Sequence, residues 1–472
     1  MTTFIGAAMP AQFTFPKEFH HYWIVGLGRS GTALALALDR AGHRVSIWDD
    51  DPTRRASSGS AALPALDPDS ASQLSSPPDV LILSPGIPHY GPNCHKAASF
   101  ARQHHLPILC DIALFVMAGI QARTIMVTGT NGKSTLASMI TDCLNQAGIT
   151  AIAGGNIGQA VFNLPELDAN GIYVLELSSY QLERMGKVRP DFASLITLTP
   201  DHLDRHGTME RYLAAKSILF DRPLPSHPVI GIDSSASLSF YQKLVQRQSG
   251  AIAVSGCSLP EDGIGVQDNR LISHGHQLAT LQEFPQLPGA HHALGLGCCW
   301  GIVSQLGVTI AQFRQAMRQF QPLAHRQRLI ATIGHIRFID DSKATNAESA
   351  IHALRAWPDC LWIVGGRPKE EDYTPLARMA QNHVRKAYLI GEAEQSLSQL
   401  FARHDINYLR CGTLEQAVGA AFQDAASIQQ ADILLSPAAA SFDQFRNFEE
   451  RGKAFAALVR NLRENSGISL KS

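Results

Sequence analysis

The sequence predicts an α/β protein with more than one domain, and three observations support that class. The chain has 472 residues, which exceeds the size at which a single hydrophobic core usually stops growing. Short apolar runs that are typical of strands alternate with helical patterns, as in DVLILSPG, TIMVTGT and CLWIVGG. Two glycine-rich turns each join such a run to a helical pattern. This alternation favours mainly parallel sheets that helices cover on both faces.

Composition narrows the class of protein. Hydrophobic residues make up 45% of the chain and charged residues 17%, which is typical of a soluble globular protein. A formal net charge of -1 gives no overall field that would attract nucleic acid or a membrane surface. The eight cysteines form no C-x-x-C pair, so a reducing cytoplasm is favoured. The N-terminal MTTFIGAAMPAQFTFPKEFHH lacks a signal-peptide layout, and no apolar run reaches about 18 residues.

Three segments can be separated along the chain. Residues 1–111 contain the first glycine turn and the stretch LILSPGIP. Residues 112–323 contain the second glycine turn, a group of acids and histidines, and a stretch, GIGVQDNRLISHGHQLATLQ, that predicts a hairpin. Residues 324–472 form a third α/β set. The sequence therefore predicts three domains with these boundaries.

The first glycine turn lies in WIVGLGRSGTALALALDRAGHRVSIWDDD, which starts at Trp23. Gly26, Gly28 and Gly31 have the spacing that cradles a pyrophosphate, and Asp49 follows at the distance expected for a ribose contact. Such turns also occur without any ligand. The motif by itself is also compatible with an NAD-dependent oxidoreductase.

The second glycine turn, in TIMVTGTNGKSTLASMITDCLNQAG, is more informative. A strand-like run at residues 125–127 leads into GTNGKST at residues 129–135. Glycines there let backbone N–H groups converge on phosphate oxygens at a helix N-terminus. Lys133 supplies a cation for the β- and γ-phosphates, and Ser134 or Thr135 a hydroxyl for Mg²⁺. Only Thr130 and Asn131 separate the first glycine from the Gly-Lys pair, so this is a shortened phosphate loop. The helical pattern that follows places these residues on one face: Leu136, Met139, Ile140, Cys143 and Leu144.

Acids and histidines follow the second turn. Glu176 ends one strand-like run and His202 follows another, so both are expected at the carboxyl edge of the sheet, where α/β proteins bind ligands. Together they suit a divalent cation beside ATP. Alternatives are a surface acid for Glu176 and a helix cap for His202. The residue pattern of YLAAKSILF alone favours a surface role for Lys216.

Seven motifs together resemble the Mur ligase family, on its glutamate-adding branch. They are GTNGKST, GGNIG, ELSSYQLE, DHLDRHG, LAHR, DDSKATNAESA and LSPAAASFDQFRNFEERGKAF. They cover nearly the whole chain in the order of the family. The resemblance implies N- and C-terminal Rossmann-like domains flanking a central P-loop-type ATPase domain with a mainly parallel sheet. It also implies a monomeric enzyme of the bacterial cytoplasm.

The resemblance implies a two-step ligation in peptidoglycan precursor synthesis. ATP phosphorylates the alanine carboxylate of UDP-N-acetylmuramoyl-L-alanine, and the amine of D-glutamate then displaces phosphate. Two unit charges about 4 Å apart repel by roughly 4 kcal/mol at an effective dielectric of about 20. Cations must offset that repulsion, and the family uses the lysine that matches Lys133 and two Mg²⁺ ions. Alternatives are L-glutamate or another acceptor, such as a folate polyglutamate chain, and a regulator driven by ATP.

The resemblance also assigns residues. It gives catalytic roles to Lys133, His202, Lys216, Arg326 and Lys343. It assigns ATP to Gly129, Thr130, Asn131, Gly132, Lys133, Ser134, Thr135, Arg326 and Asp341. It assigns Ser134 and Glu176 as ligands of one Mg²⁺, and His202 and Lys216 as ligands of the other, with Lys216 in the form of a carbamate. It assigns the UDP-sugar to Gly28, Arg29, Ser30, Gly31, Asp49, Ser84, Pro85, Gly86, Asn156, Ser178 and Gln181. It assigns binding of the amino-acid substrate to Thr345, Lys369, Ser441, Phe442 and Phe448. The sequence SFDQF is also typical of a helix N-terminus, so Ser441 could alternatively be a helix N-cap.

The chain departs from the family pattern at several positions. His292 and Gly295 stand where the family usually has asparagines that contact adenine. Asp50 and Asp51 stand where some members have Thr and Arg near the uracil. Ala439 replaces a frequent cysteine.

Overall fold

A computed structural model describes residues 13–57, 62–247, 250–368 and 372–465. Most of the N-terminal stretch that was considered as a leader lies outside the described residues, and so does Lys369 of the predicted amino-acid site. In the described part, no helix is both long and apolar enough to cross a membrane. The strands form three sheets whose pairings are mostly parallel, which confirms the predicted α/β class.

The first sheet is parallel throughout, with its strands in the order β2-β1-β3-β4. Its strands are β1 (His21–Val25), β2 (Arg44–Trp48), β3 (Val80–Leu83) and β4 (Ile108–Leu109). The helices of this segment are α1 (Arg29–Arg40), α2 (Pro52–Ser57), α3 (Lys96–Gln103) and α4 (Asp111–Met117). β1 and β3 are buried along their whole length, as expected for short, mainly apolar strands of a parallel sheet.

The second sheet has nine strands, in the order β13-β12-β11-β10-β9-β8-β5-β7-β6. They are β5 (Arg123–Thr128), β6 (Ala151–Gly155), β7 (Ile172–Glu176), β8 (Phe192–Leu195), β9 (Val229–Gly231), β10 (Ile252–Val254), β11 (Ile264–Gln267), β12 (Arg270–Ser273) and β13 (His276–Thr280). Its helices are α5 (Lys133–Gln146), α6 (Ser179–Leu182), α7 (Leu203–His206), α8 (Met209–Ser217) and α9 (Ser235–Arg247). They are followed by α10 (Ala290–Val303) and α11 (Ile310–Gln319).

The predicted hairpin is confirmed. β12 runs antiparallel to β11, whereas the pairings from β6 to β11 are parallel. The two residues between β11 and β12, Asp268 and Asn269, both have positive φ angles. This is the conformation that a two-residue hairpin turn requires, and Asp and Asn tolerate it well. The predicted apolar face of α5 is also confirmed, because all five of its residues are buried.

The third sheet has the order β14-β15-β19-β16-β17-β18, and β14 is its antiparallel edge strand. Its strands are β14 (Arg328–Ile333), β15 (Ile336–Asp340), β16 (Cys360–Gly365), β17 (Val384–Ile390), β18 (Tyr408–Gly412) and β19 (Ala431–Leu435). Its helices are α12 (Ala347–Ala356), α13 (Thr374–His383), α14 (Glu394–Arg403), α15 (Leu414–Ala425) and α16 (Phe448–Asn465). Trp362 of β16 stacks on Phe401 and donates its indole N–H to the carbonyl of Ser436.

The described residues group into two compact units. One contains the residues up to Ala279 together with Leu294–Arg318, and therefore the first two sheets. The other contains Thr280–Ala293 and the residues from Gln319 onward, with the third sheet. Within the first unit, Phe115 of α4 packs against Phe162 and Tyr173, so one core joins the two sheets. The three-domain boundaries at 111/112 and 323/324 stay a prediction.

Candidate active site

The second glycine loop connects β5 to α5 as predicted. Gly129 and Gly132 both have positive φ angles. A Cβ atom on either glycine would come within 2.7 or 2.8 Å of the Ile196 side chain. Glycine is therefore required at both positions for conformation and for space. The segment after β8 also anchors the loop, because the Asn131 N–H donates a hydrogen bond to Thr197 Oγ1 at 2.8 Å.

Two lysine ammonium groups meet at the carbonyl of Gly129. Lys133 Nζ donates to the carbonyl oxygens of Gly129 and Thr130, at 2.9 and 2.8 Å. Lys216 Nζ donates to the same Gly129 oxygen at 2.8 Å. The loop therefore brings two lysine side chains beside its own backbone, where the charge of Lys133 can attract phosphate oxygens.

Lys216 is buried, with 1% of its surface exposed, so the prediction of a surface lysine is wrong. Its ammonium nitrogen lies 4.6 Å from the centre of the Tyr212 ring. Burial lowers the pKa of Lys216 well below its usual value, and the neighbouring Lys133 lowers it further. Sequence pattern alone missed this burial, because the spacing of apolar residues in α8 does not reveal which face the second sheet covers.

Glu176 and Ser134 form the closest pair of the predicted site. Ser134 Oγ donates to Glu176 Oε2 at 2.5 Å, and Asn156 Nδ2 donates to Glu176 Oε1 at 3.1 Å. Glu176 is only 2% exposed, so the alternative of a surface acid is wrong. This hydroxyl and this carboxylate lie together at the start of α5, and both are oxygen ligands of the kind that Mg²⁺ prefers.

His202 lies at the N-terminus of α7 with a positive φ angle of 55°. His202 is therefore the N-cap residue, as the alternative of a helix cap proposed, but its side chain makes no capping hydrogen bond. The ring is 46% exposed and lies 5.0 Å from the Tyr180 ring and 6.5 Å from that of Tyr212. Its Nε2 is 3.5 Å from a carboxylate oxygen of Asp201.

Tyr212 is a residue of this region that sequence reasoning missed. Its ring contacts both His202 and Lys216, and its hydroxyl lies 3.1 Å from Thr130 Oγ1 in the glycine loop. Tyr212 thus connects the loop with two residues that were predicted to hold metal. Its position four residues before Lys216, on the same helical face, was the signal that could have found it.

The first glycine loop has a different environment. A Cβ on Gly31 would lie 1.9 Å from the carbonyl oxygen of Gly26, so α1 can approach β1 this closely only with glycine there. Asp49, predicted to meet a ribose, accepts the N–H groups of Leu27 and Asp51 at 2.7 and 3.0 Å. Ser84 Oγ donates to the Gly26 carbonyl at 2.9 Å. Asp49 and Ser84 therefore fix the backbone of the loop, and Gly28 and Arg29 are exposed at its rim.

Two other residues assigned to the UDP-sugar, Ser178 and Gln181, lie at the start of α6. Ser178 and Gln181 form a reciprocal capping box that satisfies the first N–H groups of this helix. Asp111, which sequence reasoning missed, is buried nearby, and burial raises its pKa. The side chains of Ser30 and Gln181 oppose that rise only in part. Neither carboxylate oxygen of Asp111 has a hydrogen-bond partner of good geometry among the described residues.

In the second unit, Asp341 follows β15 and is buried. Ser436 Oγ donates to its Oδ2 at 2.7 Å, and the Gln327 N–H donates to its Oδ1 at 3.2 Å. Burial raises the pKa of Asp341 to about 8, and the charge of Arg326 opposes the rise. Lys343 follows two residues later, with its ammonium nitrogen 3.9 Å from the centre of the Phe448 ring.

Ser441 does not cap a helix, so that alternative is wrong. It is buried in a turn in which its carbonyl accepts the N–H groups of Gln444 and Phe445, and α16 begins only at Phe448. Phe442 is 60% exposed, and Thr345 is partly buried just before α12. Arg451, which sequence reasoning missed, donates to Ser342 and to the carbonyl of Ala439, and so connects the segments that contain Lys343 and Ser441.

His292 occupies one of the two positions where adenine contacts were in question, and Gly295 occupies the other. The rings of His291 and His292 contact each other at a tilt of 41°, with ring centres 4.1 Å apart, and His292 Nδ1 lies 2.7 Å from the Pro288 carbonyl. Burial lowers the pKa of His292 to about 4, so the ring is neutral. With Nδ1–H donating to Pro288, Nε2 keeps its lone pair and can accept a hydrogen bond.

Comparisons with known proteins give a consistent result. A family model described as the Mur ligase middle domain matches residues 127–291. A UDP-N-acetylmuramoylalanine--D-glutamate ligase of Paramagnetospirillum magneticum is 40% identical over 439 residues, covering 92% of this chain and 95% of that protein. A protein of the same name from Rhodospirillum rubrum is 40% identical over 453 residues, covering 93% of this chain and 94% of that protein.

Solved structures resemble the fold at lower identity. The UDP-N-acetylmuramate-alanine ligase MurC of Thermotoga maritima matches with a TM-score of 0.58 at 15% identity, covering 94% of this chain and 100% of that chain. A MurF ligase of Thermotoga maritima in complex with ADP matches with a TM-score of 0.54 at 14% identity, covering 84% and 92%. At such identities the likeness concerns the fold alone.

Proposed function

Since the chain belongs to the family of UDP-N-acetylmuramoylalanine--D-glutamate ligases, we propose that it joins D-glutamate to UDP-N-acetylmuramoyl-L-alanine at the expense of ATP. This is a ligase reaction of peptidoglycan precursor synthesis, and the family assignment replaces the reading of the first glycine turn as an NAD site. The observation that carries the proposal is the group formed by Lys133, Ser134, Glu176 and Lys216 around one glycine loop.

The side chains around the second glycine loop offer oxygen ligands that fit Mg²⁺. Ser134 Oγ and the Glu176 carboxylate lie 2.5 Å apart, both are oxygen ligands, and both lie at the carboxyl edge of the second sheet. Ser134 and Glu176 would hold one ion, and His202 and Lys216 would contribute to the other. Bound Mg²⁺ would neutralise phosphate charge and so allow two anions to approach each other.

Carbamylation of Lys216 is part of the proposal. A buried ammonium next to Lys133 adds repulsion where a metal cation must bind, whereas a carbamate would supply an anionic oxygen ligand. Carbon dioxide reacts with the neutral amine, which burial of Lys216 favours. The 2.8 Å contact with Gly129 keeps Lys216 Nζ beside the phosphate loop, where such a ligand is needed.

The chemistry follows in two steps. An oxygen of the alanine carboxylate attacks the γ-phosphorus, the bond to ADP breaks, and an acyl phosphate forms. The glutamate amine then attacks the acyl carbon, the bond to phosphate breaks, and the amine loses a proton as the amide forms. Lys133 would stabilise the charge that develops on the transferred phosphoryl group.

The remaining assigned residues would bind the substrates. Gly129, Thr130, Asn131, Gly132 and Thr135 would surround the phosphates of ATP, and Arg326 and Asp341 would also bind the nucleotide. Lys343 would act near the transferred phosphate, and Thr345, Lys369, Ser441, Phe442 and Phe448 would bind the amino acid. The residues assigned to the UDP-sugar would bind it at the first glycine loop, at the loop that follows β3, at Asn156 beside Glu176 and at α6. The enzyme is proposed to act as a monomer of three domains.

The proposal is tested by measuring phosphate release with single components omitted. Release should require ATP, Mg²⁺, UDP-N-acetylmuramoyl-L-alanine and D-glutamate together. Turnover that persists at the full rate without the UDP-sugar would overturn the proposal. A panel of D- and L-amino acids in the same assay decides the acceptor, and a preference for L-glutamate would favour the related ligases.

A further inference from the structure

Arg184, just beyond the end of α6, crosses from the second sheet to the loop that follows β3. It is 1% exposed, and all of its contacts lie within the first compact unit. Its Nη1 donates to the carbonyl oxygens of Leu83 and Ser84, at 2.9 and 2.8 Å. Its Nη2 donates to the carbonyl of Ile87. Nε and Nη2 also reach Nδ1 of His89, at 3.2 and 3.1 Å.

This set uses the full donor capacity of the guanidinium group. Arginine has five N–H donors in a planar fork, and Arg184 directs them to three carbonyl oxygens and one imidazole nitrogen. None of these contacts is with a carboxylate. Burial lowers the pKa of Arg184 to about 10, so the group stays charged at neutral pH. A buried charge of this kind is costly unless its hydrogen bonds are complete, so the loop must keep its shape.

The loop held by Arg184 carries three residues assigned to the UDP-sugar: Ser84, Pro85 and Gly86. On its other side this loop supports the first glycine loop. Ser84 Oγ donates to the Gly26 carbonyl at 2.9 Å, and a Cβ on Gly26 would come within 2.4 Å of Ser84 Oγ. A continuous set of contacts therefore runs from Arg184 through Ser84 to the turn that begins at Gly26.

The backbone around Arg184 extends these contacts further. The Arg184 carbonyl accepts the N–H of Cys110 at 3.1 Å, immediately before the buried Asp111. The helix that precedes Arg184 starts at Ser179, three residues after Glu176. One short segment thus carries a proposed metal ligand at one end and the anchor of the UDP-sugar loop at the other.

The neighbouring Glu183 fastens the same loop with a second contact. Its carboxylate accepts the hydroxyl of Tyr90 and lies 3.2 Å from Nδ1 of the buried His206. Arg205 approaches the same carboxylate at 3.8 Å. Residues 83–90 are therefore anchored to the second sheet by two adjacent side chains of opposite charge.

We propose that Arg184 is a positioning residue that holds the loop of residues 83–89 against the first glycine loop, so that the UDP-sugar site is formed before the substrate binds. The inference rests on the proposed function, because it assumes that this loop contacts the UDP-sugar. Preformed sites bind more tightly because no ordering cost is incurred on binding. Loss of the anchor should weaken binding of the UDP-sugar and leave the nucleotide site intact.

The test is calorimetric titration of the full chain with UDP-N-acetylmuramoyl-L-alanine and, separately, with Mg-ADP. Arg184→Lys keeps the charge but cannot form the planar fork, and Arg184→Met removes the charge. Both variants should weaken UDP-sugar binding by about tenfold or more, with less than about a threefold change for Mg-ADP. The exposed Arg102→Lys is the matched control and should bind both ligands as the unaltered protein does.

A second variant decides the question if the arginine variants fail to fold. His89→Ala removes one acceptor from Arg184 and should weaken UDP-sugar binding by a smaller factor, again without affecting Mg-ADP. Where Arg184→Ala folds, added methylguanidinium should restore part of the lost UDP-sugar affinity, which a general loss of stability would not allow.

Several outcomes would overturn the inference. Equal UDP-sugar affinity in all folded variants contradicts it, and so does a parallel loss of affinity for both ligands. If the unaltered protein binds Mg-ADP but not the UDP-sugar, the proposed function itself is wrong. The two failures are therefore distinguishable in one set of titrations.

Discussion

The two glycine loops have similar local designs and different surroundings. Each joins a buried strand to the start of a helix, and each needs glycine because a Cβ would meet a neighbouring atom. The first loop is surrounded by groups that satisfy its backbone, namely Asp49 and Ser84. The second is surrounded by Lys133, Lys216 and the Ser134–Glu176 pair. The two loops are therefore alike in their need for glycine, and they differ in the charged residues around them.

The largest effect should come from removing charge at the second loop. Lys133→Ala should reduce turnover by about 10²–10³-fold, because a cation facing the developing phosphoryl charge is lost. UDP-sugar affinity should stay unchanged, since that ligand is proposed to bind at the first loop. Steady-state kinetics and calorimetry measure the two quantities, with the exposed Lys187→Ala as control. A matching loss of UDP-sugar affinity would break the division of roles between the loops.

A smaller effect is expected at the Ser134–Glu176 pair. Glu176→Gln keeps the shape of the side chain but removes the negative charge that would bind Mg²⁺. The Mg²⁺ concentration needed for half-maximal activity should rise by roughly 10–100-fold, and excess Mg²⁺ should recover part of the rate. An unchanged Mg²⁺ dependence would exclude Glu176 as a metal ligand. Chelation of Mg²⁺ by EDTA should stop turnover in both proteins.

Alanine substitutions in the first loop separate folding from binding. Gly31→Ala places a Cβ against the Gly26 carbonyl, so both thermal stability and UDP-sugar affinity should fall, the latter about tenfold. A Cβ on Gly28 meets no atom within 4 Å, and its φ of -69° suits any residue. Gly28→Ala should therefore keep its melting temperature and lose affinity only. Unchanged affinity in Gly28→Ala would remove Gly28 from the binding site.

The smallest expected effect is a pH dependence at the loop that supports the UDP-sugar site. Burial, together with Arg184, lowers the pKa of His89 from 6.5 to about 4, while Glu183 opposes the shift and Arg205 and Arg102 add to it. As the pH falls, the His89 ring is therefore protonated at a higher pH in the unfolded chain than in the folded protein. The contribution of His89 to stability is complete above pH 6.5 and is lost between 6.5 and about 4. In His89→Gln, melting temperatures should fall less steeply over this range; an identical slope would refute the assignment.

Local features of the fold were predictable, because they depend on neighbouring residues. Strand runs, both glycine turns, the hairpin and the apolar face of α5 follow from spacing and from glycine. The burial of Lys216 was not predictable, since it depends on what covers α8. The capping pattern at Ser441 was misleading, because the chain forms a separate turn before α16.

Long-range contacts were also beyond the sequence pattern. Arg184 reaches acceptors about a hundred positions earlier in the chain, and Arg451 joins segments more than a hundred positions apart. Neither arginine lies in a periodic pattern that reveals its partner. The assigned substrate residues remain predictions, and the experiments above address Gly28 and Gly31 of the first loop and Lys133 and Glu176 of the second.

The central claim is that the carboxylate of the UDP-sugar is phosphorylated at the second loop before the amine attacks. It is tested by supplying UDP-N-acetylmuramoyl-L-alanine with ¹⁸O in the alanine carboxylate and analysing the released phosphate by mass spectrometry. An acyl phosphate requires one carboxylate oxygen to leave with each phosphate, so labelled phosphate is predicted. Phosphate without label, formed together with the amide product, would contradict the account.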